Sequence, residues 1–115
     1  MSGEPVDRTP PELLQGTVDI LILRALAGGP RHGYAIAQWI DERSEGVLTV
    51  DGAGLYQALH RLAHRKWLAS SWGRSENNRR ARFYELTAAG RSHLRAETVV
   101  WRRYLKAVSA VLSPA

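Results

Sequence analysis

The apolar positions of this chain change their period along its length, and each change marks an element. From about Pro10 to Ala27 the pattern predicts a helix. Its second half, "VDILILRAL", is apolar nearly all round, which predicts burial on more than one side. Gly28, Gly29 and Pro30 stop it. A second helix is expected over His32 to Arg43, where Gly33, Ile36, Ala37 and Ile40 share one face. Gly33 on that face leaves room for another helix to come close. Ser44 to Val50 is a connection whose "VLTV" can form a short strand. A third helix is expected after Asp51, a good N-cap. Leu55, Leu59 and Leu62, with Ala58, form its thin core stripe, and Tyr56, Gln57, His60, Arg61 and His64 occupy the rest of its surface.

The period then drops to two. "WLASSWG" and "ARFYEL" read as strands, and the polar "RSENNR" between them reads as a turn, because asparagine tolerates left-handed backbone. The pair predicts a β-hairpin with arginines at its tip. Thr87 caps a last helix. On it Leu94, Thr98, Trp101, Leu105, Val108 and Leu112 recur in steps of four and three, a coiled-coil-like seam with one polar position. Val100, Tyr104 and Val111 add a second apolar strip. One small domain can hardly cover both, so a second copy of the chain is expected to bury the excess.

A length of 115 residues suits one core. The expected organisation is a loose arm over residues 1–12, a compact unit over 13–86 and a C-terminal helix over 87–115. The fold class is mainly α with a small β-hairpin (α+β). The formal net charge is +5, and its placement matters more than its size. Between Arg61 and Arg82 stand seven basic residues, opposed only by Glu76. Such a patch attracts polyanions through phosphate neutralisation and counterion release.

Other chemistry is poorly supplied. The absence of cysteine removes disulfides, thiolate metal sites and a cysteine nucleophile, and fits a reducing cytoplasm. No signal peptide pattern opens the chain, and the apolar run from Val18 to Ala27 is too short to span a bilayer. His60 and His64 have a spacing that can chelate zinc, but further ligands are lacking, so no metal and no cofactor is expected. His93 and Glu97 read as a surface pair. With no glycine-rich phosphate loop and no paired carboxylates on one face, an enzyme is not expected.

Three helices followed by a basic hairpin describe a winged helix-turn-helix, in which the third helix enters the major groove of double-stranded DNA and the hairpin touches the flanking backbone or minor groove. On that reading Gln57, His60 and Arg61 contact bases. Arg74, Asn77, Asn78, Arg79, Arg80 and Arg82 contact backbone, the arginines offering planar forks to phosphate or to a narrow minor groove and the asparagines serving the turn as well. Tyr56 either donates to a phosphate or packs at the base of its helix. Trp67 and Trp72 are expected to pack against the helices, and Trp39 to lie at the surface of the second. Trp101 is an interface anchor or, with Tyr104, part of an effector pocket. A protein-interaction module whose basic patch binds an acidic partner is the alternative, and RNA binding is a third reading that lacks an exposed aromatic sheet.

The segments "LLQGTVDILILRAL", "HGYAIAQWI", "LYQALHRL" and above all "WGRSENNRRARFYELTAAG" resemble the PadR family of bacterial transcriptional regulators, over roughly residues 13 to 112. The single short C-terminal helix is similar to the smaller subfamily. The resemblance implies a homodimeric repressor on a palindromic operator, with the first and last helices making the dimer. Leu13, Leu14 and Leu21 would then join Leu94, Trp101, Leu105, Val108 and Leu112 in the interface, and a small aromatic or amphipathic effector would sit near it. Three positions depart from the family pattern: Gly54 where a hydroxyl residue is common, Gln57 where proline is common, and Lys66 where glycine is common. These bear on operator sequence and affinity rather than on the fold.

Overall fold

The computed structural model describes residues 16–114. Helix α1 spans Thr17–Ala25 and tightens into a 3-10 turn over Leu26–Gly28. A two-residue strand β1, Arg31–His32, precedes α2, Gly33–Arg43. Then come α3 (Gly52–His64), the hairpin β2 (Leu68–Arg74) and β3 (Arg80–Leu86), and α4 (Ala88–Leu112). The antiparallel sheet has the order β1-β3-β2.

Three expectations need correction. "VLTV" forms no strand. His32 is the N-cap of the second helix and not its first turn, and it also ends β1, because Arg31 and His32 pair with Tyr84 and Phe83. The regular α-helical hydrogen bonding of α1 ends at Ala25, short of Ala27. The expected start of that helix at Pro10, the arm over 1–12, Leu13 and Leu14 lie outside the described residues.

One core joins the elements. Ile22, Leu23 and Leu26 meet Ile36 and Ile40 of α2 and Leu55, Leu59 and Leu62 of α3, with Leu68, Leu86 and Leu94 closing it from the hairpin and α4. Each buried aliphatic side chain stabilises the fold by about 1.5–3 kcal/mol relative to exposure. The seam pattern assigns Leu94 to a dimer interface, and this too is corrected. Leu94 is buried in the core of the single chain, because the first turns of α4 lie against α1 and the hairpin. Leu21 is half-buried against the same core.

The caps are as the sequence implies. The Asp51 carboxylate accepts from the Gly54 amide at 2.8 Å, and Thr87 Oγ1 accepts from the Gly90 amide at 3.0 Å. Thr87 also donates to the Lys66 carbonyl at 2.8 Å, tying the start of α4 to the entrance of the hairpin. Gly90 sits against the Trp67 carbonyl so closely that a Cβ there would collide with it. His93 stacks on Trp67 at 3.7 Å between ring centroids, so it serves this junction rather than a surface pair with Glu97.

Candidate nucleic-acid interface

The core stripe of α3 fixes what the helix shows outside. With Leu55, Ala58, Leu59 and Leu62 buried, the 3.6-residue period turns Gln57, His60 and His64 directly outward. Tyr56 and Arg61 fall on opposite flanks. Tyr56 leans over α2, its hydroxyl beside Gly33, and this is the close approach that a glycine at position 33 permits. Arg61 leans the other way and pairs with Asp19 of α1. Arg61, expected to read bases, thus has a half-exposed side chain that pairs with Asp19 in the DNA-free chain. His64, by contrast, shares the outward face.

Strand pairing arranges the wing. Trp72 lies opposite Arg82 and Arg74 opposite Arg80, so period-two alternation places these four residues on one face. Trp72 is not packed against the helices as expected: it is 57% exposed. Its ring carries the Arg80 guanidinium at 4.3 Å and the Arg82 guanidinium at 5.6 Å. Arg82 also donates to Ser70 Oγ through Nε at 3.0 Å and through Nη2 at 2.9 Å. Like charges directly opposite each other in a sheet are destabilising, and here the Arg80 guanidinium is drawn over the Trp72 ring. At the tip Asn78 adopts the left-handed conformation, φ +58°, that asparagine tolerates. Its amide donates to the Ser75 carbonyl at 2.8 Å, and Arg74 donates to the Asn78 carbonyl at 3.2 Å. Arg74 thus braces the turn. Asn77, Arg79 and Arg80 are exposed, and among the described residues neither of these two arginines has a carboxylate partner.

A cleft of about 700 Å³ lies between the wing and the helices. One wall is His32, Gly33 and Tyr34 at the start of α2 with Tyr56 of α3; the other is Trp72, Tyr84 and the turn from Ser75 to Arg82, excluding Asn78. Hydroxyl donors thus face arginines across a gap, beside the outward face of α3. Sequence reasoning misses His32, Tyr34 and Trp72 as parts of this cleft. Exposed Tyr34, two residues into the "HGY" motif, is the available signal. No group of three or more His, Cys, Asp or Glu residues that could hold a metal gathers among the described residues.

A different surface lies on α4. Beyond Thr98 it buries no residue, and Val99, Val100, Tyr104, Leu105, Val108, Val111 and Leu112 are exposed. Trp101 is half-buried and meets Tyr104 edge to face at 6.2 Å; neither lines the cleft beside α3. No described helix is long and apolar enough to cross a membrane.

A family model described as the transcriptional regulator PadR-like family matches residues 22–96, the stretch that contains α2, α3 and the wing. The chain belongs to the PadR-like family. A PadR family transcription regulator from Clostridium difficile R20291 is 30% identical, with a TM-score of 0.73 over 85% of this chain and 100% of that one. A transcriptional regulator from Clostridium thermocellum is 25% identical, with a TM-score of 0.77 over 86% of this chain and 96% of that one. PadR of Bacillus subtilis, solved in complex with operator DNA, is 20% identical and shares the fold, with a TM-score of 0.64 over 71% of this chain and 46% of that one. The PadR-like fold of four helices and a small antiparallel sheet is the one that the sequence implies, and the family's members are transcription regulators.

Proposed function

We propose that this PadR-family protein is a homodimeric transcriptional repressor that binds a palindromic DNA operator and catalyses no reaction. The observation that carries the reading is the cleft beside α3. It brings together the exposed arginines of the wing and the hydroxyls of Tyr34 and Tyr56, beside the outward face of the helix. Arg79 and Arg80 would neutralise phosphates, and Arg74 and Arg82 would stand at the rim while bracing the wing. Asn77 and Asn78 would bring the tip to the backbone, and Tyr34 and Tyr56 would donate to the phosphates that cross the cleft. Gln57 and His60, with His64, would read base edges in the major groove. The operator complex of the Bacillus subtilis relative supports the same mode of action.

The exposed strip on α4 supports the dimer. Its seam would be Trp101, Leu105, Val108 and Leu112, and Trp101 with Tyr104 would be where a small aromatic or amphipathic effector enters. Two-fold symmetry would set the two recognition helices one DNA turn apart, roughly 34–36 Å. Selection of bound duplexes from a random pool tests the whole reading. It should return an inverted repeat with half-sites at that spacing. A consensus without two-fold symmetry would remove the dimeric part, and no enrichment at all would remove the DNA-binding part.

A further inference from the structure

Glu76 is the one acidic residue between Arg61 and Arg82, and it stands at the wing tip, where a carboxylate would repel a polyanion. Its position has a structural partner. The Glu76 carboxylate lies 3.5 Å from Nε2 of His32, the residue that caps α2. His32 is 7% exposed. Its Nδ1 accepts the Ala35 amide at 3.3 Å, which assigns the proton of the neutral ring to Nε2. That buried N–H has no hydrogen-bond partner among the described residues, and Phe83 stands edge-on to the same ring at 5.3 Å.

We propose that His32 and Glu76 form a latch that fixes the wing tip relative to the start of α2, and so sets the width of the cleft that receives DNA. The inference rests on the DNA-binding reading above. β1 pairs with β3 only at Phe83 and Tyr84, so above these residues the outer side of β3 has no strand beside it. The turn from Ser75 to Arg79 is held by its own hydrogen bonds, with Glu76 reaching across to the helical body. A buried N–H left without a partner is costly, and the Glu76 carboxylate 3.5 Å away is the acceptor nearest to it, although it closes no hydrogen bond there. The wing orientation that brings Glu76 to His32 is therefore favoured. That orientation also holds Arg79 and Arg80 across the cleft from Tyr34 and Tyr56. Charge alone would argue against an acid at position 76; the contact accounts for it.

The test compares Glu76→Gln, Glu76→Ala and His32→Asn. Glutamine keeps an acceptor for Nε2–H without the charge. Asparagine still caps α2 but is too short to reach the tip. Amide hydrogen exchange over Ser75 to Arg79 is measured on the DNA-free protein, and affinity is measured against a random-sequence duplex at fixed salt. Glu76→Ala and His32→Asn should speed tip exchange severalfold. Glu76→Ala should also weaken duplex binding by roughly twofold to fivefold, although it removes a repelling charge. Glu76→Gln should keep wild-type exchange and bind at least as tightly as wild type. Glu76→Ala combined with His32→Asn should be no worse than either single variant. Unchanged tip exchange in Glu76→Ala, or tighter binding equal to that of Glu76→Gln, overturns the latch. If the wild type binds no duplex, the DNA reading fails, while the exchange measurements still decide the contact.

Discussion

The Tyr56 hydroxyl lies 2.9 Å from where a Cβ on Gly33 would stand. The first turn of α2 and the first turn of α3 are thus fitted to each other at the floor of the cleft, and a methyl group at position 33 must push the tyrosine away. Tyr56 is 57% exposed and can swing aside, so Gly33→Ala should lower stability by no more than about 1 kcal/mol. Tyr56→Phe, which removes the nearest atom, should recover part of that loss. Urea denaturation measures both, and an unchanged midpoint for Gly33→Ala would show that the tyrosine yields freely.

Arg61 and Gln57 should separate cleanly. Arg61 pairs with Asp19 on the flank of α3, and its side chain is half exposed. Arg61→Ala should therefore cost no more than about 1 kcal/mol of stability and leave base preference intact. Gln57→Ala should leave stability intact and relax preference at one base position by about 1–3 kcal/mol. Duplex-library selections on the two variants check this. A changed consensus for Arg61→Ala would restore arginine as a base reader.

The wing-tip arginines should act without regard to sequence. Replacing Arg79 and Arg80 together with alanine should weaken binding to all duplexes alike. It should also lower the slope of log affinity against log salt by about two, close to one for each phosphate no longer neutralised. Titrations at several salt concentrations give the slope, and a wild-type slope in the double variant would place the backbone contacts elsewhere.

A charge on the seam of α4 should break the dimer. Leu105 is 55% exposed in the single chain, so aspartate there does not disturb the monomer's own core. In a dry interface it would leave an unpaired charge, which is strongly destabilising. Leu105→Asp should give folded monomers by light scattering where the parent chain gives dimers. An intact dimer in the variant would exclude this face.

Most of the fold is legible in the sequence because local signals agree with one another. Asp51 and Thr87 mark helix starts, leucines at helical spacing mark the core, and asparagines mark the wing turn. The third strand is not legible. Arg31 and His32 carry no strand pattern of their own and become a strand only because the far-away Tyr84 and Phe83 offer them partners. Lys66 shows the opposite case. Its departure from the family's glycine looks like a detail in the sequence, and the backbone there has φ +66°, the conformation glycine takes most readily.

The candidate site is legible as composition but not as direction. A helix surface pattern gives Gln57, His60 and Arg61 equal standing; only the structure shows that Arg61 has Asp19 of a neighbouring helix as a partner. Trp72 misleads because aromatic residues usually pack inward. Here its ring lies close enough to the wing arginines to serve as their platform. Leu94 misleads because a seam at regular spacing gives no sign of where one chain's core ends and a second surface begins.

The shortness of β1 has one more result. An open strand rim invites a neighbouring molecule to zip onto it and begin a growing ribbon. Above Phe83 that rim on β3 carries Arg82 and Arg80, with Arg79 just beyond, so two copies brought together there would repel each other. The same guanidiniums that suit the protein to a polyanion would thereby keep it from polymerising while no polyanion is bound.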